Sequence, residues 1–460
     1  MYHTKSVLKP SLWEAILLIV LIVGMISVSI IKFEASPHMP ILLSVLLLIC
    51  YGLLKKVSYK QLESGLVEGA GAGMSAVFLF FFIGILVGTW MMSGTIPTLI
   101  YAGFQIITPT FFLAIIFVVT AIVGVAVGSS LTTVATVGVA FIGMASVLDI
   151  SLAMAAGAIV SGAFFGDKMS PLSDTTNLSA SIVGADLFEH IRNMGWTTFP
   201  AFGIAFVLFA FLSPNIEAVD NTKIDVFQAG LLSTDLIHWY TIIPLLVLFA
   251  LTFVKVPAMM ALAASSLTAI LVTSFHHTPS VGTVFGVMFG GYKSTTGVEE
   301  IDALLTRGGM ESMMSTISLV LLALSMGGLL FKLGIVQCLL GALEKGLQKV
   351  SSVIAASALT AIGINILIGE QYLSILLTGQ AFQTQYEKVG LAGKNLSRVM
   401  EDAGTVVNPL VPWSVCGMFI AGVLGVEVLD YLPFAFFCLL SPVLTVLFGY
   451  MGKTLTYTNK

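Results

Sequence analysis

The chain has 460 residues, of which 57% are hydrophobic and 10% are charged, and its formal net charge is −4. Soluble globular domains carry about a quarter charged residues, so this composition excludes that class of protein. The chain also lacks the lysine and arginine clusters that binding to nucleic acid requires. Its apolar residues run in continuous blocks, unlike the alternating pattern of a membrane β-barrel. We therefore predict an all-α polytopic membrane protein with about 11–13 membrane segments of ~20 residues each.

Residues 1–68 are predicted to form scaffold helices and an interfacial helix. The apolar block at 15–31 runs too long for the core of a signal peptide, so we expect a retained helix. Lysines before the first block and after the second place the amino terminus in the cytoplasm. These are Lys5, Lys9, Lys55, Lys56 and Lys60.

The segment 59–68 can form a short amphipathic helix at the membrane interface. Leu62, Leu66 and Val67 would then face lipid, and its charged residues would face solvent.

Residues 69–213 are predicted to form the first of two structural repeats. No Asp, Glu, Lys, Arg or His occurs from 69 to 148, a length sufficient for about three spans. Inside it, the sequence GSSLTT at 128–133 offers hydroxyl groups, and hard cations prefer oxygen ligands. A single Ser or Thr in a membrane helix more often serves packing, so the cluster carries the prediction. Its candidate ligands are Ser129, Ser130, Thr132 and Thr133.

The first charged cluster, GDKMSPLSDTTNLSA at 166–180, directly follows an apolar block. Ionisable groups at such depth persist mainly when they are paired, hydrated or functional. Pro171 interrupts a continuous helix, and Ser173 or Asp174 can cap a following half-helix. We predict a re-entrant break in which Lys168 neutralises a carboxylate, with a polar surface loop as the alternative. The candidate residues are Asp167, Lys168, Ser170, Asp174, Thr175, Thr176 and Asn177.

Residues 214–236 are rich in acidic side chains, which favours an extracytoplasmic connection between two halves of the chain. Its charged residues are Glu217, Asp220, Lys223, Asp225 and Asp235.

Residues 237–454 are predicted to form the second repeat, followed by a tail at 455–460. The sequence TAIVGVAVGSS at 120–130 recurs as TAIGINILIGE at 360–370, and SPL at 170–172 recurs as NPL at 408–410. Transporters use such repeats, often inverted, to place broken helices near the midplane of the membrane. The repeat therefore predicts that polar clusters of both halves meet at one site.

The polar clusters of the second half mirror those of the first. As an α-helix, the segment after 400 would place Glu401 and Thr405 on one face at i, i+4, with Asp402 beside them. Pro409 and Pro412 would then break that helix. The candidate residues are Asn365, Glu370, Gln371, Glu401, Asp402, Thr405 and Asn408.

A carboxylate that binds either Na⁺ or H⁺ can exchange the two ions by competition, because a bound cation favours the ionised form and desolvation favours the protonated one. The pool of Na⁺-binding candidates holds Asp167, Asp174, Glu370, Glu401 and Asp402. We interpret Glu189, His190, Arg192, His276 and His277 as solvent-exposed and exclude them.

Two other classes of membrane protein fit less well. An intramembrane protease is disfavoured because the chain has neither a GxGD sequence nor an HExxH zinc motif. A channel is disfavoured because broken helices with titratable carboxylates suit coupled exchange better than a continuous pore.

Three segments resemble the NhaC family of Na⁺/H⁺ antiporters: 166–180, the sequence GSSLTTVATVGVAFIG at 128–143, and LSRVMEDAGTVVNPLVPWSVCG at 396–417. The resemblance implies a bacterial plasma-membrane antiporter, not an enzyme, without a cofactor. It also implies inverted repeats, re-entrant hairpins and a homodimer.

Some members of that family resemble sodium-lactate/malate-proton antiporters, so malate, lactate or an amino acid stays an alternative substrate. The chain departs from the family pattern at Glu370, Asn408 and Ser414, where Asp, Ser or Thr, and Asn are expected. These changes bear on the selectivity for ion and solute.

Overall fold

A computed structural model describes residues 6–106, 110–213, 221–343 and 347–458. Over those ranges the chain is all-α, with no β-strand and two isolated β-bridges. The predicted fold class is confirmed. Part of the predicted connection, 214–220 with Glu217 and Asp220, lies outside the described residues, as does the end of the tail at 459–460.

The helices fall into three groups along the chain. The N-terminal group is α1 (Leu12–Phe33), α2 (His38–Leu54), α3 (Tyr59–Ala72), α4 (Met74–Met92) and α5 (Thr95–Ile106). The first half continues with α6 (Phe112–Val127), α7 (Ser130–Thr133), α8 (Val139–Val147), α9 (Leu152–Met169), α10 (Asp174–Ile182), α11 (Leu187–Leu212) and α12 (Asn221–Ser233). The second half holds α13 (Ile243–Phe253), α14 (Ala258–Thr273), α15 (Val281–Gly290), α16 (Glu299–Leu305), α17 (Met314–Lys332), α18 (Ile335–Leu343), α19 (Val350–Ile368), α20 (Gln371–Lys388), α21 (Gly393–Val399), α22 (Val415–Leu424), α23 (Val428–Tyr431) and α24 (Phe436–Met451).

Two π-helical segments and several short 3₁₀ turns interrupt these helices. The π segments are Val134–Gly138, which joins α7 to α8, and Met400–Thr405, which extends α21. Among the 3₁₀ turns are Met310–Met313 before α17 and Asn408–Leu410 before α22. π segments are rare and often mark functional sites, and both of these lie beside a predicted polar cluster.

Within the described ranges, six helices are long and apolar enough to cross a membrane, and two bent pairs raise that number to eight. The pair Gly393–Leu410 and Val415–Leu424 bends by 44°, and Val428–Phe434 with Phe436–Met451 bends by 59°. The chain is therefore a multi-pass membrane protein. The 11–13 segments predicted above require shorter apolar helices of 10–17 residues to enter the membrane as well, and that number stays a prediction.

α3 packs along α17 through small residues. A Cβ atom on Gly328 would lie 2.1 Å from the carbonyl oxygen of Gly65, and one on Gly69 would lie 2.3 Å from that of Leu324. Such glycines let two helix backbones approach closely. The prediction that Leu62 faces lipid is wrong, because this side chain is 0% exposed and packs against the helices beside it. Val67, by contrast, is 65% exposed.

The two halves pack on each other reciprocally. α10 of the first half packs against α20 of the second, and α22 of the second half packs against the π segment Val134–Gly138 of the first. α11 and α24, which follow the two short helices, pack against each other. This exchange is the relation expected of a two-fold repeat. The inverted topology itself stays a prediction.

The C-terminal segment lies against the start of α21. Asn395 Nδ2 donates to the carbonyl of Thr456 at 2.6 Å, and the amide of Thr456 donates to Asn395 Oδ1 at 3.1 Å. The fully buried guanidinium of Arg398 donates to the carbonyl of Thr454 at 3.0 Å. These bonds satisfy buried polar groups and fix the tail beside the second broken helix.

Candidate functional site

The first broken helix lies between α9 and α10. Pro171 cannot continue α9 because it lacks a backbone N–H. Ser170 Oγ donates to the carbonyl of Val125 at 2.7 Å, and Ser173 Oγ accepts from the amide of Thr176 at 3.4 Å as the cap of α10. The predicted break at Pro171 and the predicted cap at Ser173 are therefore confirmed.

The second broken helix lies between α21 and α22. Its last turn before the break is the π segment, where the amide of Val406 donates to the carbonyl of Glu401 at 3.3 Å. The segment is a π turn and not the α-helix assumed in the prediction, but Glu401 and Thr405 remain neighbours, as predicted. After the break, Ser414 Oγ accepts from the amide of Gly417 at 2.9 Å and caps α22.

Asn365 and Asn408 hold the second break together. Asn408 Nδ2 donates to Asn365 Oδ1 at 2.8 Å, and Asn365 Nδ2 donates to the carbonyl of Gly404 at 2.6 Å. Asn408 Oδ1 accepts from the amide of Cys416 at 2.9 Å. Both amides thus serve backbone groups that the broken helix leaves unpaired. Both side chains are fully buried, and they line neither of the two cavities described below.

α6 of the first half and α19 of the second half end with the same local backbone geometry. Gly128 and Gly369 cap these helices with φ of 68° and 76°, a left-handed conformation that favours glycine. The next residues, Ser129 and Glu370, are extended and begin new helices. Each side chain accepts a hydrogen bond from the amide three residues ahead, at 3.3 Å and 2.7 Å. The sequence recurrence therefore corresponds to a recurrence of backbone structure.

Asp167 lies at a cavity of about 400 Å³ beside the first break. Its side chain is 5% exposed, and Oδ2 accepts from the amide of Ser130 at 3.1 Å and from its Oγ at 2.7 Å. An adjoining cavity is lined by Glu370 and shares Asp174 and Gln371 with the first. The predicted residues that line the first cavity are Ser129, Ser130, Thr132, Asp167, Asp174, Thr175, Asn177 and Gln371.

A second polar cluster is buried behind the cavity. Lys168 forms an ion pair with Asp402, and both side chains are 0% exposed. Thr197 Oγ1 donates to Asp402 Oδ2 at 2.8 Å, and Ser179 Oγ donates to Glu401 Oε1 at 2.7 Å. The predicted neutralisation of a carboxylate by Lys168 is confirmed, with a partner from the opposite half of the chain.

The five carboxylates of the predicted pool therefore separate into two groups. Asp167, Asp174 and Glu370 line the adjoining cavities, whereas Glu401 and Asp402 lie in the buried cluster. In the described part of the chain, no three His, Cys, Asp or Glu residues converge as metal ligands. The predicted residues that line neither of these cavities are Thr133, Lys168, Ser170, Thr176, Asn365, Glu401, Asp402, Thr405 and Asn408.

His190 is a member of the buried cluster that sequence reasoning missed. The prediction that it is solvent-exposed is wrong, because its side chain is 0% exposed and its Nδ1 lies 2.8 Å from Ser397 Oγ. Its neighbour on the same helix, Asn193, donates to the carbonyl of Lys394 at 2.7 Å. His190, Asn193 and Thr197 recur at helical spacing, and that polar stripe was the available signal.

Comparison with known proteins identifies relatives over nearly the whole chain. A model described as the Na⁺/H⁺ antiporter family matches residues 162–453. The chain is 42% identical over 445 residues to the Na⁺/H⁺ antiporter NhaC of Alkalihalophilus pseudofirmus, which covers 96% of both chains.

Two more distant relatives carry the names of solute exchangers. The malate-2H⁺/Na⁺-lactate antiporter of Bacillus subtilis is 33% identical over 461 residues, covering 99% of this chain and 98% of its own. The arginine/ornithine antiporter ArcD of Halobacterium salinarum is 33% identical over 451 residues, covering 96% and 93%. The relatives of this chain are thus named for three kinds of exchange: Na⁺ for H⁺, malate for lactate, and arginine for ornithine.

Proposed function

Because this chain belongs to the NhaC family of Na⁺/H⁺ antiporters, we propose that it is a secondary transporter that exchanges Na⁺ for H⁺ by alternating access. Its motifs predicted that family, and the family is confirmed. The family supports a location in the bacterial plasma membrane, and the flanking lysines support an amino terminus in the cytoplasm.

The observation that carries the proposal is the position of Asp167. This carboxylate lies in a helix break at the wall of a polar cavity, held by two hydrogen bonds from Ser130. The side chain of Ser173, at the start of α10, also contacts this carboxylate, so hydroxyl groups from both sides of the break surround it. A carboxylate that accepts either ion at one atom, but not both at once, couples their movements by competition.

Neutral oxygen ligands surround that carboxylate. Ser129, Thr132 and Thr175 line the same cavity, and hard cations bind such hydroxyl and carbonyl oxygens. We assign Na⁺ to this cavity, with Asp167 as the carboxylate that exchanges Na⁺ for H⁺.

The buried cluster has a different role in this mechanism. Lys168 is neutralised by Asp402 and is therefore not free to repel Na⁺ from the neighbouring Asp167. The same ion pair joins α9 of the first half to the π segment of the second. We propose that this pair holds the two broken helices in register, and that Glu401 supports it from the adjacent position.

Transport in proteoliposomes tests the proposal. The lumenal pH is recorded with a trapped dye after a step in external Na⁺, with K⁺ of equal concentration as the control. Proton movement with Na⁺ alone, and not with K⁺, is the expected result. Proton movement that needs an added malate, lactate or amino acid would replace Na⁺/H⁺ exchange with solute antiport.

Solute antiport is the second candidate, and one side chain favours it. Lys255 lines the same cavity as Asp167 and Asp174, so the cavity offers one cationic and two anionic groups. A cavity with both signs of charge suits an amino acid or a hydroxy acid accompanied by cations. The relatives named for malate, lactate, arginine and ornithine support this alternative.

The family resemblance also supports a homodimer. We propose that two chains associate in the membrane, and the molar mass of the purified protein, corrected for detergent, tests this. A mass of one chain at all concentrations would contradict the proposal.

A further inference from the structure

A further cavity lies at the far end of α22. Its lining includes Gly422, Val423 and Gly425, whereas Val415 at the start of α22 lines the cavity of Glu370. Val415 and the nearest lining residue of the far cavity, Gly422, are two turns apart on α22, so the two cavities are separated by about 10–15 Å along its axis. They share no lining residue. We call the far cavity, of about 360 Å³, the Arg307 cavity.

A pair of glycines positions the loop that carries Arg307. Gly308 and Gly309 have φ of 85° and 82°, which favours glycine. The amide of Gly309 donates to the carbonyl of Gly84 on α4 at 2.7 Å, and a Cβ on Gly308 would lie 2.2 Å from the amide nitrogen of Gly88. The loop backbone therefore lies directly against α4, and its side chain at 307 is held at the cavity wall.

Arg307 supplies the only formal charge among the residues that line this cavity. Its guanidinium is partly buried, and no carboxylate of the described residues lies within ion-pair distance. Two acidic residues that lie close to Arg307 in the sequence are engaged or exposed. Asp302 accepts hydrogen bonds within its own loop, from Ser294 Oγ at 2.7 Å and from the amide of Thr296 at 2.7 Å. Glu311 is exposed to solvent, with Oε2 3.7 Å from the Cβ position of the lining residue Gly290, and it forms no ion pair with Arg307.

We propose that the Arg307 cavity binds a small carboxylate anion, with the guanidinium of Arg307 as its counterion. A partly buried guanidinium without a partner is unfavourable, and its planar donor fork matches a carboxylate. Tyr292, Thr306 and Ser312 add hydroxyl groups to the lining. The volume falls in the range of small-molecule sites and exceeds what a halide ion needs.

This site goes beyond Na⁺/H⁺ exchange and does not depend on it. The cavity at Asp167 carries two carboxylates and the ammonium group of Lys255, a net negative charge that suits a cation, whereas the lining of the Arg307 cavity carries a single positive charge. The two ends of α22 therefore face ligands of opposite sign.

Thermal unfolding of the purified full-length protein in detergent tests the site. Sodium malonate and sodium acetate are titrated against sodium chloride at equal Na⁺ concentration and ionic strength, with tryptophan fluorescence as the signal. We expect a saturable rise in Tm with a carboxylate that chloride does not reproduce. An equal rise with chloride, or no rise with either carboxylate, would overturn the proposal.

Two variants and a matched control locate the binding. Arg307→Gln is expected to weaken carboxylate binding by about tenfold or more, and Arg307→Lys to weaken it less, because lysine keeps the charge without the fork. Lys255→Gln removes a positive charge from the other cavity and is expected to bind as the wild type does. Loss of binding in Lys255→Gln alone would move the carboxylate to the cavity of Asp167 and contradict this site.

A labelling experiment keeps Arg307 intact, in case its variants fold poorly. Thr306→Cys is made in a Cys50→Ala background, because Thr306 is exposed at the cavity and Cys50 is an exposed native thiol. Malonate is expected to slow modification by an anionic methanethiosulfonate severalfold. Thr278→Cys, exposed in another loop, is the control. Equal protection at both positions, or none at Thr306→Cys, would refute the site.

Discussion

Lys168 and Asp402, which are 234 residues apart in the chain, form an ion pair in which both side chains are 0% exposed. The pair connects the end of α9 to the π segment after α21, so one residue of each broken helix depends on the other half of the molecule. Thr197 completes the arrangement by donating to the second oxygen of Asp402 at 2.8 Å.

Removing one partner of this pair should cost more stability than removing both. Asp402→Asn leaves a buried ammonium without a counterion, and such losses amount to about 3–5 kcal/mol. Lys168→Gln leaves the converse unpaired carboxylate. The double variant carries two neutral groups that can hydrogen-bond, so it should recover at least half of the lost stability. Thermal unfolding of the purified proteins measures this coupling, and additive losses would contradict it. We expect both single variants to lose coupled exchange.

Asp167→Asn should remove exchange without removing the fold. The amide oxygen can still accept from Ser130, so the local hydrogen bonds persist, but the side chain no longer carries a proton or attracts Na⁺. We expect the Na⁺-driven pH change in proteoliposomes to fall by about tenfold or more, as befits the loss of a functional intramembrane carboxylate. Tm should stay close to the wild-type value.

The matched control for that variant is Asp174→Asn. Asp174 lines the same cavity, but its side chain is exposed and does not cap α10, whose cap is Ser173. We expect it to alter the apparent affinity for Na⁺ while exchange continues. If Asp174→Asn abolished exchange and Asp167→Asn retained it, the assignment of the two carboxylates would have to be reversed.

The helix breaks could be predicted from sequence because their causes are local. Pro171 removes a backbone donor and Ser173 is a good cap, and both facts are legible in the sequence around 170. The pairing of Lys168 could not be predicted, since Asp167, Asp174, Glu401 and Asp402 were equally available to it. Only the packing of α9 against the second half selects Asp402.

His190→Ala should destabilise the protein although sequence reasoning treated His190 as exposed. The change removes the partner of Ser397 Oγ and leaves a void at the junction of α11 and α21, for which losses of about 1–3 kcal/mol are typical. Tm of the purified variant measures the effect. His277→Ala, at an exposed position, is the control and should be neutral. Equal Tm values for the two variants would show that the buried contact contributes nothing.

Gly328→Ala should weaken the contact between α3 and α17. Its Cβ would lie 2.1 Å from the carbonyl oxygen of Gly65, so the helices must separate. Gly363→Ala is a matched helical control, because nothing lies within 4 Å of its Cβ position, and Ala is the better helix former by about 1 kcal/mol. We expect Gly328→Ala to lower Tm and Gly363→Ala to leave it unchanged or raise it. A stable Gly328→Ala would contradict the close approach.

Besides the burial of Leu62, two features differ from the sequence-based predictions for physical reasons. His190 has charged neighbours, yet the residues of one helical face can be buried while the other face stays in solvent. Glu401 and Thr405 were assigned α-helical spacing, and nothing in the local sequence distinguishes an α turn from a π turn. The first difference concerns which face of a helix is buried, and the second concerns the type of helical turn. The spacing of polar residues in the sequence determines neither of them.

The span between Lys168 and Asp402 also sets a problem for biogenesis. At a synthesis rate of about 5–20 residues per second, roughly ten to fifty seconds separate the emergence of the lysine from that of its aspartate. Throughout that interval the nascent first half carries an ammonium group in a membrane helix without the counterion it will finally have. We therefore expect α9 to reach its final depth only when the second half is complete, because a buried ammonium group without a counterion is unfavourable in the membrane.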